Sequence, residues 1–134
     1  IKLHEITAPE ILVARQASGP DVRIMCDTNC PWTVWDAIDM ARRVSDADLT
    51  WLEEPVWPPE DVDGLARVRQ CCIPIAAGEN VAGVFGFKSL IKANAIDIRM
   101  GVSWCLSPIE VGLLCCLHCN DNRRAAGYHS TASR

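Results

Sequence analysis

No run of apolar residues in this chain approaches the about 20 that a membrane-spanning helix needs. Basic residues are outnumbered, 13 Lys and Arg against 17 Asp and Glu, for a net charge of −4. That balance removes the broad positive field on which nucleic-acid binding depends. Neither a nucleic-acid partner nor a membrane is therefore expected. There is no glycine-rich phosphate loop, no secretory leader and no opening Met. The first residues already alternate between apolar and polar, so the chain is expected to belong to a longer protein. A second CxxC pair is also missing. Cys116 and Cys119 of "CLHC" thus lack the partners that a tetrahedral zinc site requires.

What is present suits a globular domain. The chain has 134 residues, 49% of them hydrophobic, enough for one modest core. Its eight cysteines lie mostly inside apolar segments, where a thiol packs as a small hydrophobe. Reduced thiols and a cytoplasmic location are the expectation, since a disulfide framework belongs to smaller, loop-rich secreted chains. A zinc-binding interaction module built on the late cysteines stands as an alternative.

Strand-like and helix-like segments alternate along the chain. "IKLHEI", "VRIMCDTN", "LTWLEEP", "IPIAAGEN" and "AIDIRMGV" read as strands, and "RRAAGYHS" as a weaker last one. Between them, "ILVARQASG", "WTVWDAIDMARRVSD", "PPEDVDGLARVRQ", "GFKSLIKANA" and "EVGLLCCLHCNDN" read as helices. In the second helix, Val34, Ile38, Ala41 and Val44 recur at steps of three and four. The prolines of the third are placed in its first turn. Alternation of this kind implies a parallel α/β sheet.

Polar residues punctuate the strand ends at a near-constant step. Lys2, Asp27, Glu53 and Glu79 are separated by 25, 26 and 26 residues, and His129 lies 50 further on. Parallel barrels keep their chemistry at the carboxyl ends of the strands, and so do open doubly wound sheets. The constant step favours the barrel. Three carboxylates converging in a partly desolvated site repel one another, and a hard divalent cation with oxygen ligands, Mg2+, resolves that repulsion. Strand alternation puts Lys2 with His4, and Asp27 with Asn29, on one face.

"IKLHE", "MCDTN", "WLEEP", "AAGEN" and "YHS" resemble the mandelate racemase and muconate lactonizing group of the enolase superfamily. The resemblance is specific over residues 1–98, and residues 99–134 diverge. It implies a partial TIM-type (β/α) barrel of about six βα units in a single incomplete domain over 1–134, without the capping domain and outer strands. It further implies metal ligation by Asp27, Glu53 and Glu79, with Glu54 supporting from behind. Lys2 would meet the substrate carboxylate, Asn29 would contact the substrate, and His4 and His129 would exchange protons. The implied chemistry is Mg-dependent removal of the proton α to a carboxylate in a hydroxy or sugar acid, as enolase-superfamily sites perform. Dehydration or racemisation through an enediolate follows, with a small carboxylate substrate and a homo-oligomeric state expected. The sixth segment departs from the family. Val102 and Cys105 stand where an Asp and a Lys are usual, and Ser107 and Pro108 where two glycines are. A catalytically inactive fragment or relic that retains only metal binding is the corresponding alternative.

Overall fold

The computed structural model describes residues 7–71 and 73–100. The expected first strand, and everything expected beyond residue 100, lie outside these. Helix α1 spans Ala8–Ser18, strand β1 Ile24–Asp27, α2 Val34–Arg43, β2 Leu49–Glu53, α3 Val62–Arg69, β3 Ile75–Ala77, α4 Gly83–Lys92 and β4 Ile98–Arg99. A short 3-10 turn, Ser45–Ala47, leads into β2.

Local chemistry sets these boundaries. At the start of α1, the Glu10 carboxylate accepts the Thr7 backbone N–H at 3.0 Å and its hydroxyl at 3.1 Å, while Pro9 tolerates a position where an N–H would go unused. The Thr33 hydroxyl caps α2 by accepting the Asp36 N–H. Asp61 caps α3 by accepting the Gly64 N–H at 2.8 Å. The third helix therefore begins at Val62, and Pro58 and Pro59 sit in the loop before it rather than in its first turn. The carboxylate cap three residues ahead of Gly64 outcompetes proline as a start signal here.

The four strands form one parallel sheet in the order β1-β2-β3-β4. Sequential order without a reversal is what barrel winding produces, whereas a doubly wound sheet reverses at a switch point. Register fixes the two faces. Cys26 pairs with Leu52, and Leu52 with Ile75. These three are wholly buried and share a core with Ala37, Ile38 and Ala41 of α2 and Leu65 and Val68 of α3. Each Leu, Ile or Val among these contributes about 1.5–3 kcal/mol on burial. The opposite face carries Met25 beside Trp51, then Asp27 beside Glu53, with Ala76 next in the row. One face is thus devoted to helix packing, and the other brings two acids to its carboxyl edge.

Candidate active site at the carboxyl ends of the strands

Asp27 and Glu53 are the last residues of β1 and β2 and stand opposite each other in register. Adjacent strands lie about 4.8 Å apart, so these acids are neighbours by construction. Glu79 arrives differently. Strand β3 stops at Ala77, and Glu79 follows on the loop after Gly78. Gly78 has φ 135, and a Cβ built there would lie 2.5 Å from Phe87 Cε1 and 2.7 Å from the Met100 carbonyl oxygen. Only glycine allows the backbone to turn against α4 here.

Glu53 is half-buried, and its carboxyl pKa is raised. Desolvation is the largest cause, and the like charges of Asp27, Glu79 and Glu54 add to it. The Trp51 indole N–H, donating to Glu53 Oε2 at 3.3 Å, pulls in the other direction. Glu53 therefore feels both of the other acids, Asp27 and Glu79. Among the described residues, no three of His, Cys, Asp and Glu stand close enough together to hold an ion between them. The donor set itself, three carboxylates under mutual repulsion, suits a hard oxygen-seeking cation.

Glu54 answers a different need. It is 4% exposed, with φ 47, so its side chain leaves the strand face that Glu53 occupies. Its Oε1 accepts the backbone N–H groups of Gly78 at 2.8 Å and Glu79 at 3.0 Å. Its Oε2 accepts from the Cys30 thiol at 3.6 Å. Its backbone carbonyl receives the Cys30 N–H and the Thr28 hydroxyl, the latter at 2.9 Å. The Thr28 hydroxyl also lies 2.8 Å from the Glu53 carbonyl, so its one proton is shared between the two. One buried glutamate so ties the ends of β1, β2 and β3 together. Desolvation, followed by the charge and hydrogen bond of Glu54, pushes the Cys30 thiol up to about 12.

Asn29 is not where strand alternation would put it. β1 ends at Asp27, and Asn29 and Cys30 both adopt left-handed backbone, φ 59 and φ 54. The i, i+2 rule holds only in extended chain. Asn29 is instead exposed, in a turn whose N–H donates to Asp27 Oδ1 at 3.1 Å. Lys2, His4 and His129 lie outside the described residues, as do Val102, Cys105 and the "CLHC" cysteines. The Cys30–Glu54 contact was not foreseen from sequence. Its one signal is the doubled acid before Pro55, since two consecutive strand residues cannot serve one face.

Residues 5–106 match the family described as enolase C-terminal domain-like. D-galactarolactone cycloisomerase from Agrobacterium fabrum is 43% identical over 89 residues, which cover 66% of this chain and 23% of that protein. D-xylonate dehydratase from Haloferax volcanii is 38% identical over 96 residues, covering 71% and 23% respectively. The chain thus spans about a quarter of the length of these curated relatives. A mandelate racemase/muconate lactonizing enzyme from a marine actinobacterium, solved in complex with magnesium, superposes with a TM-score of 0.81 at 28% identity, over 90% of this chain and 36% of that one. A parallel βα sheet wound in sequential order, acids at its carboxyl edge and these matches agree: the chain belongs to the enolase C-terminal domain-like family, in the mandelate racemase and muconate lactonizing group of the enolase superfamily.

Proposed function

We propose that the protein containing this chain removes the proton α to the carboxylate of a sugar acid, in a Mg2+-dependent dehydration or a related isomerisation. The observation that carries the reading is the row of acids, Asp27 beside Glu53 in register with Glu79 on the next loop, with the Glu53 carboxyl raised in part by its neighbours. The named activities of the relatives, a sugar-acid cycloisomerase and a sugar-acid dehydratase, support the substrate class.

Asp27, Glu53 and Glu79 would hold the ion, their repulsion being what its charge offsets. The bound cation would supply positive charge against the enediolate that forms when the α-proton leaves. Lys2 is assigned to the substrate carboxylate and Asn29 to a substrate hydroxyl. His4 or His129 takes the α-proton, and the other returns a proton to the departing β-hydroxyl. In the dehydration, the α C–H bond and the β C–O bond break, water leaves, and the resulting enol becomes a 2-keto acid. With Val102 in place of a carboxylate, His129 lacks the usual acceptor that fixes a histidine tautomer, so His4 is favoured as the base. The free thiols of Cys26, Cys30 and Cys71 suit a reducing compartment such as the cytosol.

The test uses the full-length protein with Mg2+ in deuterated water and a panel of aldonic and aldaric acids. Deuterium at the α carbon, or a 2-keto product, is expected from at least one acid and is lost in Glu53→Gln. Exchange without a keto product would leave isomerisation and remove dehydration. No exchange with any acid would overturn the reading.

A further inference from the structure

Three strand ends meet at one carboxylate, and one of its contacts comes from a side chain outside the acid row. The Cys30 thiol donates to Glu54 Oε2 at 3.6 Å and accepts from Asn80 Nδ2 at 3.8 Å. The other oxygen of Glu54 grips the backbone N–H groups of Gly78 and Glu79. Cys30, Glu54 and the Gly78–Asn80 loop thus form a closed ring of contacts around the backbone that presents Glu79. A loop residue is only as well placed as the contacts that hold its main chain, and β3 ends two residues short of Glu79.

We propose that Cys30 is a positioning residue for Glu79, acting through the Glu54 carboxylate. Four features support this. Glu54 is almost fully buried, so an oxygen that loses its donor is not repaired freely by solvent. Cys30 adopts left-handed backbone at φ 54, an unfavourable conformation for a residue with a Cβ. The conformation aims the thiol back at Glu54, while the Cys30 N–H is spent on the Glu54 carbonyl. Finally, the Asn80 amide bridges to the same sulfur from the loop that carries Glu79. Strain of this kind persists where surrounding contacts over-determine it.

The inference rests on the reading of Glu79 as an ion ligand, and its test separates the two. Mg2+ tolerates little departure from octahedral geometry, whereas Ca2+ accepts longer and looser coordination. Disturbing a residue that orients a ligand typically costs about 10- to 100-fold in metal affinity. Calorimetry on the full-length protein with Mg2+ and with Ca2+ would compare Cys30→Ala, Cys30→Ser and Cys30→Gly with the unsubstituted protein and with Glu53→Gln. Cys30→Gly also removes the thiol but relaxes the backbone, so it covers the case in which Cys30→Ala fails to fold.

The expected result is a loss of about tenfold in Mg2+ affinity for Ala and Gly, a smaller loss for Ca2+, and recovery in Ser, whose hydroxyl can donate in the thiol's place. Melting of the metal-free Cys30→Ala protein should fall slightly, because Glu54 loses a donor, and Cys30→Ser should stay close to the unsubstituted protein. Unchanged Mg2+ affinity in both Ala and Gly, with binding abolished in Glu53→Gln, would overturn the role of Cys30 and leave the ion site standing. Equal losses for Mg2+ and Ca2+ with strongly lowered metal-free melting would also overturn it, because the effect would then be structural. If the unsubstituted protein does not bind Mg2+, the ion site and the role of Cys30 fall together.

Discussion

At the scale of single residues, the row of acids ties stability to pH with a definite sign. The folded pKa of Glu53 lies above its ordinary value of 4.5. A carboxyl with a raised folded pKa holds more protons folded than unfolded, so stability falls as pH rises. Its contribution is complete below 4.5 and is lost as pH climbs through the raised value. In the metal-free full-length protein, Glu53→Gln should therefore gain in melting temperature over the unsubstituted protein across that interval. Added Mg2+ should reverse the order at neutral pH, since only the carboxylate form binds it. A pH-independent difference between the two proteins would show that the folded Glu53 carboxyl is not raised. The positions of Asp27 and Glu53 were legible because a near-constant step of 25 to 26 residues reports one strand end per unit. The Glu54 contacts were not. They depend on left-handed backbone at Asn29, Cys30 and Glu54, which the side-chain pattern does not announce for Cys or Glu.

At the scale of elements, strand and helix order followed from periodicity, while the ties between elements did not. Arg15 is the clearest case. Its Nε donates to the Ala47 carbonyl at 2.7 Å and Nη2 to that of Asp48 at 3.0 Å. Its Nη1 meets the carbonyls of Gly19 at 2.8 Å and Val22 at 2.7 Å. One guanidinium thereby fastens the end of α1 to the approach to β1 and to the 3-10 turn before β2. In sequence, Arg15 is simply a basic residue in a helix's last turn, where such residues commonly lie for the helix dipole. The rigid five-donor fork suits several carbonyls at once, and an ammonium cannot reproduce it. Arg15→Ala should cost about 2 kcal/mol, given about 1.5–3 kcal/mol for a hydrogen bond from a charged donor and partial compensation by water at the exposed carbonyls. Arg15→Lys should recover less than half of that. Denaturant melts of the full-length protein check both, and an Arg15→Lys variant as stable as the parent would show that charge alone suffices. A similar bridge joins α3 to the sheet, where Arg69 pairs with Asp97 at 2.6 Å and Asp97 accepts the Ile75 N–H at 2.9 Å.

At the scale of the whole molecule, the edges and faces of the sheet decide how these 134 residues behave by themselves. Among the described residues, β1 and β4 are each paired on one side only. Parallel strands ordinarily have both faces covered, yet Met25, on the face away from the helices, is 37% exposed. Three large aromatic side chains are exposed on segments that follow the strands. Trp35, in the first turn of α2, is 73% exposed, and Phe85, in the first turn of α4, is 79% exposed. Trp57, in the loop after β2, is exposed as well. Unpaired edges template further pairing, and exposed large apolar side chains add surface that can pair with a second copy. A polypeptide of these 134 residues made alone should therefore self-associate, with a sedimentation-average mass that rises with concentration. Replacing Trp35, Trp57 and Phe85 together by Gln should reduce that association without abolishing it, because the sheet edges remain. If the triple variant becomes fully monomeric, the exposed aromatics alone drive assembly. A monodisperse, cooperatively unfolding monomer from the unsubstituted polypeptide would show that edges and aromatics are satisfied within the chain itself.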